Sequence, residues 1–279
     1  MKFVRFKEKL NIKWIADFRD PWTEIDYFHK LPLTKKSIKK HYSLEKEVLE
    51  NADTVLVVGK TMNENYKQFN KNVVTVTNGF DGEISKAKNG FHQKFCLTHI
   101  GLLNADRNSE LLWEVLSEIC RENSKFERDF EVKFIGKVDA SVHKSITNFK
   151  LEKNVHFLGY KSHSEVNALQ YKSQVLILIV NNVPSAKGIV TGKIFEYLKV
   201  RKPILAIAPV NGDLAEIVTQ TQSGYVIDFN DKVGLKNTIL ELYAKFKEGK
   251  LTVNSKNIEH YHRKELTKKV SEIINNLTE

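Results

Sequence analysis

Only two cysteines occur in the 279 residues, Cys96 and Cys120, and neither has partners at metal-ligand spacing, so both read as buried thiols of a reducing compartment. No stretch approaches the ~18 to 20 consecutive apolar residues that cross a bilayer. The start, MKFVRFKEKLNIKW, is charged throughout, where a secretory signal would have an apolar middle. The expectation is a cytoplasmic protein. No Asp-x-Asp is present, the carboxylate pair that commonly holds a divalent ion against phosphates. The nine histidines form no H-x-x-x-H, and His260 and His262 point to different faces as surface or packing residues. There is no zinc-finger spacing and no RNP-like aromatic run, so nucleic acid is a poor partner. No metal and no cofactor are expected.

What is present is a globular composition, 41% hydrophobic and 28% charged, with a formal charge of +10. Lys35, Lys36, Lys39 and Lys40 form a basic cluster suited to anionic lipid or a phosphorylated substrate. Ile38, Tyr42 and Leu49 fall at helical spacing opposite it, which fits a solvated helix face and leaves peripheral contact with an anionic inner membrane surface open.

Short Val- and Ile-rich runs alternate with helical patterns along the whole chain, the signature of an α/β fold with parallel sheets covered on both faces. The pattern predicts strands near 13–17, 54–58 and 73–76, with helices near 34–51 and 61–69. A polar stretch over 81–93 then reads as a hinge. Strands follow near 96–101, 131–135, 155–158, 175–180, 204–208 and 225–228. Leu111, Leu112, Val115, Leu116 and Ile119 give the helix at 109–121 one apolar stripe. Ser162 with Glu165, and Asp213 with Glu216, have capping-box spacing. A last helix near 256–277 is placed to cross back to the first part.

The segment GIVTGKIFEYLKVRKP, Gly188 to Pro203, concentrates the chemistry. Gly188 and Gly192 let backbone approach a ligand, and a helix opening near Thr191 aims its free N–H groups at an anion. Lys193 adds a full positive charge, and Glu196, about one turn on, offers two acceptor oxygens to the vicinal hydroxyls of a ribose. The same residues also fit a plain surface helix with a Lys193–Glu196 ion pair.

GKIFEYL with the following KP and PILAIA resembles the nucleotide-sugar segment of the glycosyltransferase family 4 enzymes, which have two facing Rossmann-like domains (the GT-B fold). WIADFRDPW at 14–22, TNGFD at 77–81 and THIGLLNADRN at 98–108 resemble, in the family's order, a late strand of its N-terminal domain, the hinge, and the first strand and loop of its second domain. The resemblance implies a partial N-terminal acceptor-side domain over 1–80, a donor domain over 94–255 and a C-terminal helix over 256–279. The N-terminal domain is expected to be incomplete, since about three strands precede the hinge where a Rossmann-like domain has about six. A fragment, a shortened reading frame or a separately supplied half would each account for that.

The resemblance also assigns roles. Arg107, in the loop after Gly101, is expected to reach a diphosphate with its forked guanidinium, and Lys193 to hold the other side, both stabilising the leaving group. Gly101, Thr191, Gly192 and Glu196 are expected at the donor. Arg19 and Asp20 stand where other members have a histidine-aspartate pair and are expected on the acceptor side; an Asp-Arg pair clamping the loop before Pro21 is the alternative. One departure is plain: in the family's E-x7-E pattern the first glutamate falls at Gly188. The implied activity is retaining, metal-independent transfer of a hexose-like unit from a nucleotide sugar to a cell-envelope or polysaccharide acceptor. A donor-binding remnant without turnover and a sugar-nucleotide epimerase are the rivals.

Overall fold

The computed structural model describes residues 2–85 and 94–278. Residues 86–93, most of the expected hinge, lie outside the described residues.

The first half is a parallel sheet of three strands, β1 (Ile15–Phe18), β2 (Thr54–Val57) and β3 (Val73–Thr75), in the order β1-β2-β3. α1 (Lys2–Leu10) precedes it, a helix that its scattered lysines hid from sequence reading; Lys7 ties it down by pairing with Asp53 at 3.0 Å. The strands are joined by α2 (Lys35–Asn51), capped by the Thr34 hydroxyl, and α3 (Lys60–Tyr66). Val48 and Leu49 of α2 pack on Val55 and Val57 of β2 and on Tyr66. Tyr42 does not join that apolar face as its spacing suggested; it sits on the flank of α2, 52% exposed. Glu45 is buried on α2 and accepts from the Trp22 N–H, from the N–H and hydroxyl of Thr23 and from the Tyr66 hydroxyl. With several donors around it, a buried carboxylate is stable there, and it folds the loop after β1 down onto α2.

The second half is a six-stranded parallel sheet: β4 (Phe95–Ile100), β5 (Phe130–Ile135), β6 (Val155–Phe157), β7 (Val175–Ile179), β8 (Ile204–Ile207) and β9 (Gly224–Ile227). Its order is β6-β5-β4-β7-β8-β9, the doubly wound arrangement. Helices cover both faces, and the strands obey the two-residue period: Val175, Ile177 and Ile179 enter one core while Leu176, Leu178 and Val180 enter the other. The first core is filled by α4 (Glu110–Glu122), α5 (Ser124–Asp129), α6 (Ala140–Asn148) and α10 (Lys232–Lys247), the second by α8 (Lys193–Val200) and α9 (Asp213–Gln220). Trp113 and Phe195 are fully buried, one in each core, and truncating either to alanine should cost about 3–5 kcal/mol.

Ser162 and Glu165 do form a capping box, opening α7 (His163–Lys172). Asp213 and Glu216 do not. Gly212 caps α9, and the Asp213 carboxylate leaves its own helix to accept hydrogen bonds from the first half. The last helix, α11 (Arg263–Thr278), lies against the first half, where Lys269 Nζ donates to the Thr75 carbonyl at 2.9 Å.

Candidate functional site

In an open parallel sheet, ligands bind beyond the carboxyl ends of the strands, at the point where strand order reverses. Here that point lies between β4 and β7. The chain leaving β4 turns through Gly101 at φ +108° into a 3-10 turn, Ala105–Arg107. A β-carbon on Gly101 would stand 2.2 Å from Lys193 Cε and 2.8 Å from its Nζ. Glycine is therefore needed twice, for the turn and for the lysine that crosses it.

Lys193 reaches that position because α8 is pinned to both strands of the switch. The Tyr197 hydroxyl accepts from the Ile100 N–H at 3.1 Å and donates to the Ile177 carbonyl at 3.3 Å, and Ile194, Phe195 and Leu198 are buried beside it. The helix therefore opens at the strand ends, its first turn free of any side-chain cap. Burial, and then the neighbouring charge of Arg107, push the Lys193 ammonium down to about 8. Burial likewise lowers Arg107, opposed by the charges of Asp26 and Asp106. Arg107 spends one Nη1 donor on the Leu102 carbonyl at 3.1 Å, while its buried Nε has no partner among the described residues. His99 lies under the pair, fully buried and pushed down to about 3 by that burial and by Lys193, so it is neutral. Two neighbouring cations half out of water, with no carboxylate at ion-pair distance among the described residues, form a site that an anion would relieve.

Arg107 lines a cleft of about 790 Å³ between the two halves, with Lys187, Thr191 and Gly192 beside it and Arg19, Asp20 and Asp26 facing it from the first half. Five of the expected residues thus share one cleft, Arg107, Thr191, Gly192, Arg19 and Asp20, and Gly101 and Lys193 meet at the strand ends behind it. Glu196 is half-buried one turn into α8 and does not line the cleft. Gly192 is not forced to be glycine by its backbone, which has φ −56°; open space lies where its side chain would be. Arg19 pairs with Asp17 at 2.9 Å and donates to the Val76 carbonyl, so the clamp and the cleft wall are one residue, and Asp20 stays outside the pair. At Gly188 a β-carbon would press on Thr61 at 3.3 Å, which turns that position toward the first half.

The halves are held together by residues that no local pattern marks. The Asp213 carboxylate, 7% exposed, accepts from the Thr61 N–H at 2.9 Å and its hydroxyl at 2.7 Å. It passes over Gly59, where a β-carbon would meet Asp213 Oδ2 at 2.3 Å. Lys60 and Glu216 pair beside it at 3.5 Å. At another edge, Asn181 after β7 donates to Asp26, and Lys30 pairs with Asp106 at 2.5 Å. Sequence reading missed Thr61, Asp26 and Asn181 because each works through a partner about 150 residues away. A second opening of about 800 Å³ lies between α11 and the end of β3; it shares no residue with the cleft, and its lining carries Glu265 and Glu272 as well as Lys268 and Lys269.

Cys96 and Cys120 are both pushed up to about 11 by burial, so neither is a nucleophile at neutral pH. No helix among the described residues is long and apolar enough to cross a membrane.

Two parallel sheets of three and six strands, with a cleft between the halves, are the arrangement of the GT-B class of sugar-transfer folds. The chain belongs to the group 1 glycosyl transferases, whose family profile matches residues 81–257. Among solved structures it is similar to sucrose-phosphate synthase from Thermosynechococcus elongatus, with a TM-score of 0.69 and 17% identity over 98% of this chain and 70% of that one. It is also similar to WaaG, a glycosyltransferase involved in lipopolysaccharide biosynthesis, with a TM-score of 0.65 and 11% identity over 94% and 79% of the two chains. A third is the pneumococcal O-GlcNAc transferase GtfA in complex with UDP and GlcNAc, with a TM-score of 0.62 and 13% identity over 99% of this chain and 60% of that one. At such identities the likeness is one of fold. No curated protein sequence matches the chain.

Proposed function

We propose that the chain transfers a sugar from a nucleotide-sugar donor to a cell-envelope or polysaccharide acceptor, with residues 94–255 holding the donor and the first half presenting the acceptor. The single observation that carries this is the half-buried Lys193–Arg107 pair at the β4–β7 switch, two cations without a carboxylate at ion-pair distance among the described residues. A donor diphosphate between them would sit against the first turn of α8, and negative charge growing on it as the anomeric bond breaks would meet fixed positive charge in a low-dielectric site. Thr191 and Gly192 border the phosphates in this reading, and Gly101 gives Lys193 its path. Asp20 and Arg19 across the cleft orient the acceptor hydroxyl. The family resemblance adds retention of configuration, with the leaving phosphate taking the acceptor proton. Since Gly188 carries no carboxylate, the donor sugar is read by backbone groups and by the opposite wall.

Donor binding without transfer is the second reading, supported by the three-stranded first sheet and by the chain's span of 60–79% of the three structures above. Calorimetry with a nucleoside diphosphate, alongside transfer of labelled donor, separates the two. Binding with turnover is expected, binding alone supports the second reading, and no binding rejects both.

A further inference from the structure

The outer face of α2 carries Lys35, Lys36, Lys39 and Lys40, all exposed. None of the four meets a carboxylate at ion-pair distance among the described residues, whereas Lys46, further along the same helix, pairs with Glu50 at 3.6 Å. Lys232 and Lys236 of α10, by contrast, are paired with Glu114, Glu118 and Glu122. Four unmatched charges on two turns of one helix repel one another unless an anionic surface faces them.

Apolar groups stand beside these lysines. Leu31 is 42% exposed just before the helix, and Tyr42, on its flank, is 52% exposed. Phe28 joins them, its ring edge-on to Tyr42 at 6.1 Å and to His41 at 5.7 Å. Next to Phe28, Tyr27 lines the cleft and is itself half exposed. The surface therefore runs without a break from the lysine face to the cleft mouth. A dissolved polyanion would use the charges and leave Leu31 and Tyr42 in water. An anionic bilayer uses both, because headgroups attract the lysines while aliphatic and tyrosine side chains settle at the headgroup boundary.

We propose that the lysine face of α2, with Leu31 and Tyr42, docks on an anionic lipid bilayer and holds the mouth of the cleft at the membrane surface. Each lysine near such a surface strengthens binding roughly fivefold, so the four together give a several-hundredfold preference for anionic over neutral lipid, reversible and salt-sensitive. The proposal stands apart from the sugar-transfer reading, since docking needs no donor.

The test is flotation of the full chain with phosphatidylcholine vesicles, with and without phosphatidylglycerol. Binding is expected only with phosphatidylglycerol and should fall as salt rises. Lys35→Gln, Lys36→Gln, Lys39→Gln and Lys40→Gln combined should weaken it by roughly a hundredfold or more, with an unchanged melting curve because all four side chains are solvated. Leu31→Ser with Tyr42→Ser should also weaken it, by a smaller factor and at every salt concentration. Equal binding to neutral vesicles, or undiminished binding by the glutamine variant, would overturn the proposal. So would tight binding to a soluble polyanion such as heparin with vesicle binding indifferent to the Leu31 and Tyr42 changes. The diphosphate calorimetry is a separate measurement and can succeed or fail independently.

Discussion

Two lysine-bearing regions of the six-stranded half treat charge in opposite ways. On the outside, Lys232 and Lys236 of α10 pair with Glu114, Glu118 and Glu122 of α4 at 2.7–3.0 Å, and those contacts raise both lysines and lower Glu118. At the strand ends, Lys193 and Arg107 are drawn out of water and set beside each other, and both are lowered. The outer lysines have found their partners within the chain. The inner pair keeps its charge in a place that disfavours it, which is a cost to the fold that an anionic ligand can offset. The sign of the displacement and the absence of a carboxylate at ion-pair distance among the described residues set the inner pair apart from the outer lysines.

The largest effect expected from breaking this contrast comes from the inner pair. Arg107→Ala or Lys193→Ala should each cost about 1.5–3 kcal/mol of nucleoside-diphosphate affinity, about 10- to 150-fold, measured by calorimetry. Unchanged affinity in both variants would reject the site. Lys193→Met should lose affinity in the same way and yet raise the melting temperature, since it removes a buried charge and keeps the packing. A fall in melting temperature would show that the lysine is a structural support.

Gly101→Ala should follow closely. It combines a left-handed backbone with a β-carbon inside the path of Lys193, so stability is expected to drop by more than about 1 kcal/mol and diphosphate affinity with it. Urea unfolding and calorimetry read the two separately. Thr61→Val keeps the shape at the junction of the halves and removes the hydroxyl that donates to buried Asp213; a loss of about 1.5–3 kcal/mol is expected on denaturant unfolding.

A smaller, graded effect is set by pH. Lys193 titrates near 8 in the folded chain and near its ordinary 10.5 when unfolded. Affinity for a diphosphate should therefore fall as pH rises past about 8, because the charged ammonium is lost. Folding stability moves the other way. Between those two values the unfolded chain binds the extra proton, so this residue's contribution grows more favourable as pH rises through that window. Lys193→Arg should flatten both profiles. Least of all is expected at the outer pair, where Lys232→Gln with Lys236→Gln should leave the melting temperature and the diphosphate affinity unchanged within error.

The sequence carried the sheet pattern well, because the central strands β7 and β8 of the second half are unbroken apolar runs, VLILI and ILAI. It carried Lys193 and Arg107 through their motifs, and the structure puts them together. It failed where one residue serves two distant elements. Asp213 with Glu216 has the spacing of a cap, yet Asp213 is the first residue of α9 rather than its cap, and its carboxylate goes to the N–H and hydroxyl of Thr61. No motif marks Tyr197, and only the packed strands reveal what its hydroxyl ties together. Glu196 kept its place on the helix but not in the cleft wall, since helical spacing fixes direction from the axis and says nothing of where the opposite wall stands.

The indole of Trp113 has a use beyond packing. Its N–H donates to Asn108 Oδ1 at 2.8 Å, and Asn108 follows Arg107 directly while holding Ser145 through its amide. A ligand that tugs on the guanidinium must pull this neighbour, and with it the polar contact of a chromophore sealed from solvent. Emission from that ring would then report occupancy optically, without a label.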